Sequence, residues 1–104
     1  MKVISQANNH FSGTVTGIGY TETVRFDANI GNFTAEVRFP SASTGQLELT
    51  MDSFADIDAG IAQWLPWSMG VVSTRTQVSG KSPQAVRGYN TGAGTMQVLI
   101  RGTI

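Results

Sequence analysis

Asp52, Asp56 and Asp58 gather three carboxylates into seven residues, which makes them the first place to look for chemistry. Their D-x-x-x-D-x-D spacing is not that of a calcium loop, which presents oxygens at alternate positions around a glycine turn. The plainer reading is a solvated loop, with calcium held only if backbone carbonyls completed the shell. No metal is therefore expected, these three being the sole candidates. Metal-assisted hydrolysis has little else to draw on, because His10 is the one imidazole and there is no cysteine. His10 precedes a glycine-rich run and reads as a turn residue, not as a base poised beside a serine. Glu36 and Glu48 could be imagined as a glycosidase pair. Their alternation puts each on an outward strand face, where a carboxylate normally only solubilises. A small hydrolase would need the aspartates to gather with His10. No catalytic residue is assigned, no cofactor is expected, and the chain reads as a non-enzyme.

Two further stretches invite a binding role. Thr91-Gly92-Ala93-Gly94-Thr95 is glycine-rich, but it lacks a lysine and a following helix, so it reads as a hairpin turn and not a phosphate cradle. Arg75, Lys81, Arg87 and Arg101 with Tyr89 could face nucleic acid, yet four cations on a chain of net charge zero are few. Nucleic acid is not expected as a partner. Trp64-Leu65-Pro66-Trp67 is the most informative short stretch. Tryptophans on a loop stack on sugars or anchor a protein interface, and they also plug the open end of a sandwich. One indole is expected in the core, the other exposed or at an interface.

The elements that must carry these residues read as strands. In Thr23–Pro40, Val24, Phe26 and Ala28 alternate with polar residues, and so do Phe33, Ala35, Val37 and Phe39. Period-two alternation marks half-buried strands. Asn29-Ile30-Gly31-Asn32 has turn composition. A hairpin is expected with Ala28 opposite Phe33 and Arg25 opposite Glu36. Residues 11–20 form a strand interrupted by glycines. Leu47, Leu49 and Met51 alternate inward. Ser53 to Gly60 can form a short capped helix. The Trp64–Trp67 stretch reads as a loop or edge segment because of Pro66. Residues 71–78 read as a strand and residues 79–84 as a surface loop. Residues 85–90 and 95–101 read as a second hairpin, with Asn90 opposite Thr95. That register puts Arg87 opposite Val98, on what should be the inner face. Val98-Leu99-Ile100 wants cover on both faces, from a loop of the same chain or from a neighbouring subunit.

Short strands with turns at close intervals predict an all-β fold, a single antiparallel β-sandwich of about 7–8 strands, of which the jelly roll is one form. Residues 1–9 form an arm or edge strand, and residues 10–104 form the sandwich domain. A chain of 104 residues can bury a core without disulfides, and it has no cysteine to make them. The first residues carry one lysine and no long apolar run, so they read as neither a signal peptide nor an anchor, and no membrane partner is expected. The Asn32-Phe33-Thr34 sequon is read as chance. Charge is uneven: residues 1–60 hold all seven acids and three bases, and residues 61–104 hold four bases. The charges either form two complementary faces or mix in space as strands interleave.

Trp64-Leu65-Pro66-Trp67, Val71-Val72-Ser73 and the run from Arg87-Gly88-Tyr89-Asn90 through Val98-Leu99-Ile100-Arg101-Gly102 carry a resemblance. Over about 40 residues the chain resembles the closing strands of small β-sandwich virion proteins of tailed bacteriophages. In those proteins an arginine-bearing strand, a glycine-rich turn and a V-x-I-R-G-like strand end the domain. The resemblance implies a non-enzymatic virion building block, a capsid decoration or cement protein or a tail component, made in the host cytoplasm. It implies partners among copies of itself, a trimer by preference, and among capsid or other virion proteins. Trp64, Trp67, Arg87, Tyr89, Leu99 and Arg101 are the expected contact residues. The alternative is a carbohydrate-binding module with Trp64, Trp67 and Tyr89 as stacking platforms for a glycan.

Overall fold

The structure, a computed structural model, describes residues 2–103. Ten strands and one short helix build two sheets that face each other across one apolar core. The strands are β1 (Lys2–Ile4), β2 (His10–Thr16), β3 (Gly19–Tyr20), β4 (Val24–Phe26), β5 (Asn32–Arg38), β6 (Gly45–Thr50), β7 (Leu65–Pro66), β8 (Thr76–Lys81), β9 (Ala85–Asn90) and β10 (Thr95–Thr103). Helix α1 spans Phe54–Ala59. The six-stranded sheet runs β1-β4-β9-β6-β7, with β3 also on β9, and the four-stranded sheet runs β2-β10-β5-β8. The chain is an all-β sandwich, as its alternation predicts. Among the described residues there are ten strands where 7–8 are expected, because three segments of two or three residues, β1, β3 and β7, join sheet edges. One pair, β1 with β4, is parallel.

The chain changes sheet at nearly every connection. Strands β4, β5, β6, β8, β9 and β10 lie alternately in the six- and the four-stranded sheet, if β7 is counted with β6. This is the wiring of a jelly roll. It overturns both expected hairpins. Strands β4 and β5 do not pair: β4 lies between β1 and β9, and β5 lies between β10 and β8. Strands β9 and β10 likewise separate, β10 pairing with β2 and β5. The physical reason is that alternation fixes which face a residue occupies and says nothing of its neighbour along the sheet. Phe26 and Phe33 still meet, their rings 5.3 Å apart, but across the sandwich. Ile30, expected in a turn, is buried and fills the corner where the chain crosses. Ala28 is exposed. Arg25 does not face Glu36; it lies over the Phe54 ring at 3.7 Å and 3.6 Å from Asp58.

Other boundaries shift for similar reasons. The expected strand over residues 11–20 divides at Gly17 into β2 and β3, which belong to different sheets. His10 sits in β2 and not in a turn. Met51 follows the end of β6 and is 68% exposed instead of inward. Strand β8 starts at Thr76 and takes in Ser79–Lys81, so the loop after it shrinks to residues 82–84. Residues 2–4 form an edge strand with Ile4 fully buried. The short helix forms as its caps predict. Ser53 Oγ accepts from the Asp56 amide at 3.3 Å, and Gly60, at φ 76°, ends it.

Strand β9 shows how tightly the layers approach. Val86, Gly88 and Asn90 point inward. A Cβ at position 88 would stand 2.6 Å from Val98 Cγ2 and 2.8 Å from Met96 Cε. Gly88→Ala is therefore expected to lose about 1–3 kcal/mol by overpacking, measured by urea unfolding.

Candidate functional site

Inward placement of Val86 and Gly88 sends Arg87 and Tyr89 to the outer face of the six-stranded sheet. Register then assembles a cluster around them. Tyr89 stands between Tyr20 of β3 and Gln46 of β6, and Arg87 stands beside Glu48. The rings of Tyr20 and Tyr89 stack at 4.5 Å with 19° between planes. The Arg87 guanidinium carbon lies 3.9 Å from the Tyr20 ring centre and 4.2 Å from that of Trp64. Two groups cannot share one face of a ring, so the order is Tyr89–Tyr20–Arg87–Trp64. Glu48 fixes the guanidinium by accepting from Arg87 Nε at 2.8 Å, and Gln46 Nε2 donates to the other carboxylate oxygen at 3.1 Å. Cation–π contact on both faces of Arg87 and a charge-assisted bond at its edge hold the cluster in one geometry.

The expected contact residues thus divide three ways. Trp64, Arg87 and Tyr89 come together on this face. Trp67 does not: it packs edge-on against Phe33 at 5.2 Å and is partly buried against the core. One indole inside and one at the surface is the division the sequence predicts. Leu99 and Arg101 lie on the opposite side of the molecule, on the outer face of the four-stranded sheet. Tyr20 completes the cluster and is missed from sequence, since only the change of sheet after Gly17 brings it beside Tyr89.

The four-stranded sheet presents rows of polar side chains. One row runs His10–Arg101–Thr34–Ser79, and the next runs Ser12–Leu99–Glu36–Gln77. Between them lies an open groove of about 390 Å³ lined by His10, Thr34, Glu36, Arg75, Gln77 and Arg101, with half-buried Leu99 in it. Glu36 is held by two arginines: Arg75 Nε donates to one oxygen, and Arg38 Nε donates to the other at 2.6 Å. The Arg75 hydrogen bond holds the Glu36 carboxyl below its ordinary 4.5; desolvation opposes this, and Arg38 reinforces it. A depressed carboxyl stabilises the fold fully above its ordinary value and loses that contribution as pH falls through the folded value. Glu36→Gln is expected to lower the melting temperature at pH 7. It should also flatten the loss of stability below about pH 4.5, read by thermal melts across that range.

The aspartates do not converge. Asp52 Oδ2 accepts from the Gln63 amide at 2.7 Å, Asp56 lies in the first turn of α1, and Asp58 faces Arg25. His10 is on the other sheet, away from all three. Among the described residues no three metal-ligating side chains cluster.

Charge partly mixes and partly separates. Glu36–Arg75 and Glu48–Arg87 join acids of the first half to bases of the second. Yet the four-stranded sheet and its flank carry Arg38, Arg75, Lys81 and Arg101 against Glu36 alone. The other sheet, α1 and their loops carry Lys2, Arg25 and Arg87 against six acids. A neutral chain thus has a side of +3 and a side of −3 in side-chain charge.

No family model and no curated protein matches the chain. Solved structures match its fold. The Drosophila melanogaster CENP-C cupin domain is similar at TM-score 0.54 and 7% identity, over 95% of this chain and 62% of that one. Drosophila melanogaster CENP-C bound to CAL1 gives 0.55 and 8%, over 95% and 66%. An oxalate oxidase gives 0.54 and 10%, over 89% and 40%. This chain spans less than two-thirds of the length of each. At such identities the likeness is one of fold, the jelly-roll sandwich that the strand order describes.

Proposed function

We propose that this protein is a non-enzymatic assembly component that docks through the Tyr89–Tyr20–Arg87–Trp64 face, and that it serves as a structural protein of a tailed-phage virion. The docking reading rests on one observation: aromatic rings and a half-buried arginine stand pre-stacked on an open sheet surface. Tyrosine, tryptophan and arginine dominate the energetic centres of protein interfaces. Side chains already locked by stacking and by Glu48 lose little further freedom on binding. The virion placement, as a capsid decoration or cement protein acting with copies of itself, comes from the resemblance carried by residues 64–102. Particles banded from a lysate of the producing cells test it. The chain is expected to co-band with the major shell protein at fixed stoichiometry. Recovery only in the soluble fraction would contradict virion placement.

Sugar binding is the second reading. The outer ring faces of Tyr89 and Trp64, beside Gln46 and Glu48, favour it. Against it, Trp67 packs against the core, so the platform expected from Trp64, Trp67 and Tyr89 keeps only two rings, which stand at opposite ends of the stack. A glycan array that binds the monomer, with loss in Trp64→Ala and Tyr89→Ala, would reverse the order of the two readings.

A further inference from the structure

We infer that copies of this chain associate head to tail, the acidic knob around α1 of one copy seating in the basic groove on the four-stranded sheet of the next. The inference goes beyond the docking reading: it names a second copy as partner and two surfaces other than the aromatic face. Two observations meet in it. The groove holds one apolar side chain, Leu99, and its Arg101 makes no ion pair among the described residues. On the other side of the molecule, Asp56 and Asp58 of α1 stand between Met51 and Ile61, which are 68% and 67% exposed. One surface is therefore polar with a net positive charge around a half-buried leucine, and the other is apolar flanked by carboxylates.

Sheet topology puts the two surfaces on opposite sides of the sandwich, which the charges polarise as +3 and −3. A surface of one sign cannot pair with its own copy without placing like charges opposite each other, so an isologous contact through either face is disfavoured. A second copy supplies the matching sign and the matching apolar residue at once. Such a contact is heterologous, so it continues into a closed ring or a short chain. Leu99, the one apolar side chain on the outward face of β10, gains cover.

Sedimentation velocity across a concentration series tests this, with the wild type, Arg101→Glu, Asp58→Arg and the double variant. Circular dichroism melts confirm that each is folded. The wild type is expected to associate at low salt and to weaken by tenfold or more near 1 M, where the screening length is about 3 Å. Each single reversal should weaken association by at least tenfold. The double variant should recover most of it, since reversing one charge on each surface makes the two opposite in sign again; Asp58 also faces Arg25 of its own chain at 3.6 Å, so its single reversal is read beside its melt. A wild type that stays monomeric, or a double variant no better than the singles, overturns the inference. Association lost in Arg87→Ala and kept in Arg101→Glu also overturns it, and leaves docking through the aromatic face standing.

Discussion

Asn90→Ala should lower the melting temperature by roughly 12–24 °C, which corresponds to a loss of about 3 kcal/mol in a domain of this size. Asn90 is fully buried at the end of β9. Its Nδ2 donates to the carbonyls of Val15 at 3.2 Å, Gly17 at 2.8 Å and Gly94 at 2.8 Å. Its Oδ1 accepts from Ser43 Oγ at 2.7 Å. One side chain thus ties together the end of β2, the loop before β6 and the turn into β10. These are segments of both sheets at the point where the chain crosses between them. Alanine removes these bonds, leaves the Gly94 carbonyl only the Gly17 amide at 3.0 Å, and opens a small void. Asn90→Asp separates the two causes. It keeps the volume and sets a carboxylate against three carbonyl oxygens, so its loss at pH 7 should equal or exceed that of alanine. Below about pH 4 the carboxyl regains a proton to donate, and part of the loss should return. Equal losses at both pH values would show that packing, not hydrogen bonding, is what Asn90 supplies.

Phe33→Ala comes next, with an expected cost of about 3–5 kcal/mol. Phe33 is almost fully buried in β5, 5.3 Å from Phe26 and edge-on to Trp67 at 5.2 Å. It is the point where the two sheets and the segment after β7 interlock. Removal leaves a cavity bounded by rings that cannot collapse into it, so relaxation recovers little. Trp67 reports the change, and its emission should shift to the red as water reaches the indole. Combining Phe33→Leu with Phe26→Leu should give a coupling of about 0.5–1.5 kcal/mol, the worth of a ring pair beyond its area.

That pair also marks what sequence can and cannot yield. The alternation of Val24 and Phe26, and of Phe33, Ala35 and Val37, puts every one of these residues inside, where the structure has them. It does so because both sheets of a sandwich face one interior. Partner choice is not legible for the same reason: a side chain pointing inward satisfies its burial in a hairpin or across the core. Arg87 shows the cost. Paired in a hairpin with β10 it falls opposite Val98 on the inner face, a conflict that is itself a sign of the wrong register. Placed in the other sheet it faces outward with Tyr89, and the conflict disappears. Short-range chemistry reads well where it is local, as in the Ser53 and Gly60 caps; which indole turns inward does not, since Trp64 and Trp67 both read as contact residues. Tyr20 reads poorly because its partners, Arg87 and Tyr89, lie far along the chain and reach it only through topology.

The charge pattern follows the same logic. The split between sequence halves does not survive folding, since Glu36 meets Arg75 and Glu48 meets Arg87. A split between faces does, because β5, β8 and β10 gather the outward bases of three separate stretches.

The most direct test of docking through the aromatic face is rebinding of purified Arg87→Ala to particles stripped of this chain, beside the wild type. Arg87 carries two ring contacts and the Glu48 bond, so its removal unlocks Trp64 and Tyr20 while leaving the core intact. Docking through this face predicts a melting temperature within a few degrees of wild type and an affinity for the particle reduced by about 30-fold or more, the scale of an interface centre worth about 2 kcal/mol. Rebinding at wild-type affinity by a folded Arg87→Ala would contradict it.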